Sequence, residues 1–175
     1  MTTYIVLPGG WAGGWQYRQV ASCLEGEGCT VFAPSFSEFE RPGGTASRDN
    51  VLETRVQDAV GLIRREDLRG VILVGFASTG EVASGVAKLL PERIGHLVYV
   101  DGPVSTNGSN GAGHSLPVAD ITFIRCTARS FFSAATAPSA YQARASGWAY
   151  FELPAEDVSR VATPEELAAK LLQIA

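Results

Sequence analysis

Few side chains in this sequence can do covalent or acid–base chemistry, and their positions say more than their number. There are two histidines, His96 and His114, and three cysteines, Cys23, Cys29 and Cys126, with no CxxC spacing. That set does not make a metal site, and three reduced, buried thiols in a cytoplasmic protein are expected. The reactive residue types sit instead where apolar runs stop. Val71–Val74 runs into Gly75-Phe76-Ala77-Ser78-Thr79-Gly80, and Ile94–Val100 stops at Asp101. A serine at the start of a helix caps it, hydrogen-bonds a ligand or, given a base, attacks an electrophile. A carboxylate ending a strand is a general acid or base, or it bonds the N–H groups of its own loop.

Those residues need elements to hold them. Short apolar runs at Tyr4–Leu7, Cys29–Ala33, Val71–Val74, Ile94–Val100, Ile121–Cys126 and Trp148–Leu153 read as strands. Helical spacing or flanking signals mark Trp15–Gly28, Val51–Glu66, Ser78–Leu90, Ala134–Ala145 and Pro164–Ile174. In the last, Pro164 suits the first turn, Thr163 is a candidate cap, and Glu165 and Glu166 favour the helix dipole. Strands alternate with helices throughout, and continuous apolar strands imply burial on both faces. The expected fold class is α/β: one domain over residues 1–175, a three-layer α/β/α sandwich on a mostly parallel sheet. In such sheets ligands bind at the carboxyl ends of the strands. The expected site is therefore assembled from Pro8-Gly9-Gly10-Trp11, the Gly75–Gly80 turn, Asp101, Cys126–Arg129 and Pro154–Asp157.

Several of these segments together resemble the esterase and hydroxynitrile-lyase branch of the α/β-hydrolases. Leu7-Pro8-Gly9-Gly10-Trp11-Ala12-Gly13-Gly14-Trp15 looks like its oxyanion loop, and Val71 to Gly80 like its strand and nucleophile elbow. Pro91 to Asp101 and Pro164-Glu165-Glu166-Leu167-Ala168-Ala169 are similar to it as well. The departures carry the functional reading. The elbow pattern G-x-S-x-G places the nucleophile at position 77, which is alanine. The resemblance puts the triad histidine at Asp157 and the triad acid beside Ala128 and Arg129. The residue entering the oxyanion loop, often histidine in relatives, is Pro8. Neither histidine supplies the missing base: His96 lies early in its strand and His114 in a Gly-rich loop. The lid that relatives carry between these strands is reduced to a loop over 102–119. A homodimer covering the opened cleft is compatible with that reduction.

The expectation is thus an α/β-hydrolase fold without the Ser-His-Asp triad, acting as a cyclase, isomerase or lyase on a small apolar metabolite. Relatives with altered triads do such chemistry, some in bacterial secondary metabolism. Candidate catalytic residues are Asp101, Ser78 and Asp157. Candidate ligand contacts are the N–H of Gly10, Trp11, Phe76, Ala77 and Arg129, the last through a substrate carboxylate or a salt bridge with Glu156 or Asp157. No cofactor is expected. Two alternatives stand beside this: a pseudoenzyme that only binds, and a hydrolase using Ser78 as displaced nucleophile or a water activated by Asp101 or Asp157.

Composition narrows the partners. Of 175 residues, 46% are hydrophobic and 18% charged, with net charge −4. That is a globular balance without a basic patch, so nucleic acid is not an expected partner. No apolar run approaches the roughly 20 residues that span a bilayer, and Met1 to Pro8 does not read as a signal peptide.

Overall fold

A computed structural model describes residues 1–9, 17–37, 48–104, 116–127, 137–154 and 164–175. Six strands form one sheet: β1 (Thr3–Leu7), β2 (Thr30–Phe32), β3 (Val71–Phe76), β4 (Ile94–Val100), β5 (Asp120–Cys126) and β6 (Ala149–Leu153). Their spatial order is β2-β1-β3-β4-β5-β6, and every pairing is parallel. Parallel neighbours need crossovers; among the described residues helices lie between successive strands except β4 and β5, and one more follows β6. These are α1 (Arg18–Gly26), α2 (Arg48–Arg65), α3 (Gly80–Leu89), α4 (Ala137–Ala145) and α5 (Pro164–Leu172).

The alternation of side chains along the strands divides the core in two. Ile5, Leu7, Leu73, Leu97, Tyr99 and Phe123 face α2, α3 and α4, where Val60, Ile63, Val86 and Ala143 meet them. Tyr4, Val6, Val74, Phe76, Val98 and Ile124 face α1 and α5, against Val20, Leu24, Leu167 and Leu171. Both faces of the sheet are thus covered, as the unbroken apolar strands require. Each fully buried Leu or Ile contributes about 1.5–3 kcal/mol. Burial pushes the Tyr4 hydroxyl up to about 12, so it stays protonated and donates to Leu171 O at 2.9 Å, tying β1 to α5.

Two element boundaries differ from the sequence reading. β3 runs through Gly75 to Phe76 rather than stopping at Val74, because Gly75 lets α3 approach. A Cβ there would lie 2.9 Å from Thr79 O and 3.0 Å from Ala83 Cβ. The helix expected from Ser78 begins as a 3-10 turn, Ala77–Thr79, and becomes α-helical at Gly80. Pro164 opens α5 as expected, with Glu165 and Glu166 in its first turn; the candidate cap Thr163 lies outside the described residues. No described helix is long and apolar enough to cross a membrane. Most of the loop over 102–119 also lies outside the described residues.

Candidate active site at the carboxyl edge of the sheet

The centre of the carboxyl edge is a strained turn. Ala77 has φ +44°, a left-handed conformation that costs a non-glycine residue about 1–2 kcal/mol. The bend therefore falls at residue 77, and Ser78 is the residue after it. Thr79 locks the turn. Its buried Oγ1 accepts from Phe76 N–H at 2.9 Å and lies 2.8 Å from Phe76 O and 2.9 Å from Leu7 O, the carbonyls it can donate to. One hydroxyl thus joins the end of β1 to the end of β3. Behind it, Tyr99 Oη and Ser84 Oγ stand 2.7 Å apart, and Ser84 donates to Gly80 O at 3.0 Å. That chain holds the first turn of α3 against β4.

Two neighbouring loops press on the same turn. A Cβ on Gly9 would lie 2.8 Å from Phe76 O, and one on Gly102 would lie 2.6 Å from Ala77 O. Neither loop tolerates a side chain there, so the backbones after β1, β3 and β4 are in direct contact. Asp101, next to Gly102, is a second left-handed residue at φ +47°, and its side chain is buried (1% exposed). Register explains why it meets the turn. Phe76 pairs with Val100, so Ala77 and Asp101 are the next residues along adjacent strands. The Asp101 N–H donates to Ile124 O at 2.8 Å, which extends the ladder one step past β4.

The sequence candidates divide accordingly. Ala77, Ser78 and Asp101 come together at this edge: Ala77 is half-buried, Ser78 exposed and Asp101 buried. Phe76 belongs to the interior. Its ring is fully buried and lies 4.3 Å from the Tyr17 ring, centroid to centroid, on the α1 side of the sheet. Strand alternation turns the Phe76 ring to the α1 and α5 side of the sheet. Gly10, Trp11, Arg129, Glu156 and Asp157 lie outside the described residues, as does His114. His96 is at the opposite end. It pairs in register with Asp120 at the start of β5, and its Nε2 is 2.8 Å from Thr122 Oγ1. Five residue steps along the strand separate it from Asp101, roughly 16 Å. Burial lowers its pKa, partly opposed by the Asp120 carboxylate.

One charged residue at this edge escaped the sequence reading. Arg125 follows Phe123 on the α4 side of β5 and pairs in register with Glu152. Since Val100 pairs with Ile124, Arg125 also lies beside Asp101. Among the described residues no three His, Cys, Asp or Glu side chains come together as a metal would require.

A family model agrees with this geometry. The model of the alpha/beta hydrolase family matches residues 4–173. The chain belongs to the alpha/beta hydrolase family. Within it, the chain is 34% identical over 110 residues to the carbendazim hydrolyzing esterase of Nocardioides sp. (strain SG-4G), covering 63% of this chain and 46% of that one. The chain thus spans about half the length of the curated relative it matches. Among solved alpha/beta hydrolase-like structures, a mutant of polyneuridine aldehyde esterase superposes with TM-score 0.77 at 14% identity, over 99% of both chains. A variant of tomato methylketone synthase I complexed with beta-ketoheptanoate gives 0.69 at 14% identity, over 99% of this chain and 96% of that one. These two show a shared fold. In an alpha/beta hydrolase the strained turn after the central strand is the nucleophile elbow, and here Ala77 occupies it.

Proposed function

We propose that this chain is a non-hydrolytic catalyst for a small, largely apolar metabolite, built on a hydrolase elbow that no longer carries a nucleophile. The observation that carries the reading is Ala77 at φ +44°. The conformation that would present a serine hydroxyl presents a methyl group, which cannot attack a carbonyl. The histidine inventory points the same way, since His96 is held at the far end of the sheet.

The elbow retains polarising groups. A helix start after the central strand favours negative charge, so the turn at Ser78 suits a substrate carbonyl or an enolate. Asp101 sits one strand away and acts as the acid–base group for proton transfer at a carbon or oxygen held over Ala77. Gly10, Trp11, Arg129 and Asp157, outside the described residues, are in this reading the remaining ligand contacts and the second acid–base candidate. Isomerisation, cyclisation or lyase chemistry needs no covalent intermediate and fits this inventory. The fold is not confined to esterases, since one structural neighbour is named a methylketone synthase and is complexed with a beta-keto acid.

Hydrolysis is the second reading, favoured by the esterase name of the 34% identical relative and by the exposed Ser78 beside the elbow. The two readings separate on short-chain nitrophenyl esters. The proposal expects no turnover above buffer from the natural chain and none lost in Ser78→Ala. Turnover abolished by Ser78→Ala would replace it with a displaced-nucleophile hydrolase. A purely binding role is separated by following a ligand found in a thermal-shift screen: the proposal expects its conversion, and a binder returns it unchanged.

A further inference from the structure

We propose that Arg125 is the anchor of an anion-binding subsite next to the elbow, so that the metabolite taken by the cleft carries a carboxylate or a similar oxyanion. This rests on the reading above that the elbow cleft holds a ligand. The placement of Arg125 is unusual. Arg125 is the penultimate residue of β5, with Ile124 and Cys126 buried on either side. Alternation turns it to the same side as Phe123, toward α3 and α4. Its Nε is buried and has no acceptor among the described residues.

A buried donor on a charged group is costly to leave unmade. Two carboxylates flank Arg125 in register, Asp101 on β4 and Glu152 on β6, and neither accepts from that Nε. Glu152 is already engaged, its Oε1 accepting from Arg144 Nη2 at 3.1 Å and from Tyr150 Oη at 3.2 Å. Arg144 in turn lies over the Tyr150 ring, 4.1 Å from its centroid. That cluster satisfies the outer carboxylate with a different arginine and leaves Arg125 to the inner edge.

Position selects the ligand. Ala77, Asp101 and Arg125 stand at successive strand ends, so about 10 Å separates the backbones of Ala77 and Arg125 at ~4.8 Å per strand. A chain of several carbons reaches from the elbow to the guanidinium. A planar guanidinium takes a carboxylate in two parallel hydrogen bonds and gives an alcohol no comparable partner. Asp101, buried at the elbow, does not accept from the Arg125 Nε.

The probes are octanoate, 1-octanol and methyl octanoate, titrated by calorimetry against the natural chain, Arg125→Met, Arg125→Lys and Glu152→Gln. The expected result is at least a tenfold preference of the natural chain for octanoate over octanol. Arg125→Met removes that preference, Arg125→Lys keeps part of it, and Glu152→Gln leaves it in place. Arg125→Met also melts higher, by about 2–4 °C, because an unmet buried donor is gone. Arg125→Gln repeats the test should the methionine variant not fold. Equal binding of octanoate and octanol overturns the anion subsite and leaves the cleft reading intact. Binding of none of the three overturns both. An octanoate preference that survives in Arg125→Met and Arg125→Gln assigns the anion to another residue and overturns the proposal.

Discussion

Two aspartates at opposite ends of the sheet adopt the same rare backbone conformation, and the reasons differ. Asp67 has φ +44° and Asp101 φ +47°. Asp67 follows α2, where a left-handed residue commonly ends a helix. The Asp67 N–H donates to Arg64 O and the Leu68 N–H to Ile63 O, which closes the helix. Its side chain is 73% exposed, and Oδ1 accepts from Arg93 Nη1 at 2.5 Å. Local hydrogen bonds account for this strain completely. Asp101 ends no helix, is buried, and lies beside another left-handed residue, Ala77, under the pressure of Gly9 and Gly102. Here three loops hold the strain together. Backbone strain that tertiary contacts impose clusters at functional sites, which supports reading this edge, with Ala77 at the bend, as the site proposed above.

That contrast is open to direct attack. The largest effect is expected at Gly102. Gly102→Ala drives a Cβ onto Ala77 O and should cost about 2–3 kcal/mol of unfolding free energy in urea. Gly61→Ala, where nothing lies within 4 Å, should instead add about 0.5–1 kcal/mol. Equal effects would mean the three loops do not press on the elbow. Next in size is Ala77→Gly, which relieves the left-handed strain and should stabilise by about 1 kcal/mol. A loss of stability there would show that the turn is not strained as described.

Smaller effects separate the amino-terminal end from the site. Burial depresses the His96 pKa in the folded chain, so the unfolded chain binds the proton more readily. Stability should therefore fall as pH drops from the ordinary histidine value toward the depressed one. His96→Asn should flatten that stretch of the melting-temperature curve and leave any activity of the cleft unchanged. The smallest effect belongs to Asp67, whose carboxyl is held below its usual range by the hydrogen bond and charge of Arg93. Its contribution is present above the ordinary carboxylate range and fades as pH falls through the depressed pKa. Asp67→Asn should remove only that acid limb, seen as a flatter melting curve at the lowest pH values.

Much of this was legible in the sequence, for identifiable reasons. Unbroken apolar runs such as Val71-Ile72-Leu73-Val74 can be buried only between two helical layers, so the sheet and its coverage follow. The position of the elbow follows too, since the bend falls at Ala77, as the pattern counted from Gly75 requires. What stayed hidden depends on contacts between distant segments. Phe76 looked like a cleft aromatic because it adjoins the elbow, yet strand alternation sends its ring to Tyr17. Thr79 gave no sign of joining Leu7 to Phe76, since a threonine in a turn reads as a helix cap. Arg125 was passed over because one charge inside Phe-Ile-Arg-Cys-Thr reads as the solvent face of a strand. Only the register of β4, β5 and β6 shows it on the elbow side. The signal available was an arginine at the carboxyl end of a strand that is otherwise apolar.

The most direct test of the central claim is labelling with a serine-directed fluorophosphonate, read by intact-mass spectrometry on the natural chain, Ala77→Ser and Ser78→Ala. An elbow without a nucleophile or a base predicts no adduct on the natural chain, and none on Ala77→Ser, since restoring the hydroxyl does not restore a histidine. An adduct on the natural chain that disappears in Ser78→Ala would contradict the account and make this chain a serine hydrolase with its nucleophile one residue past the bend.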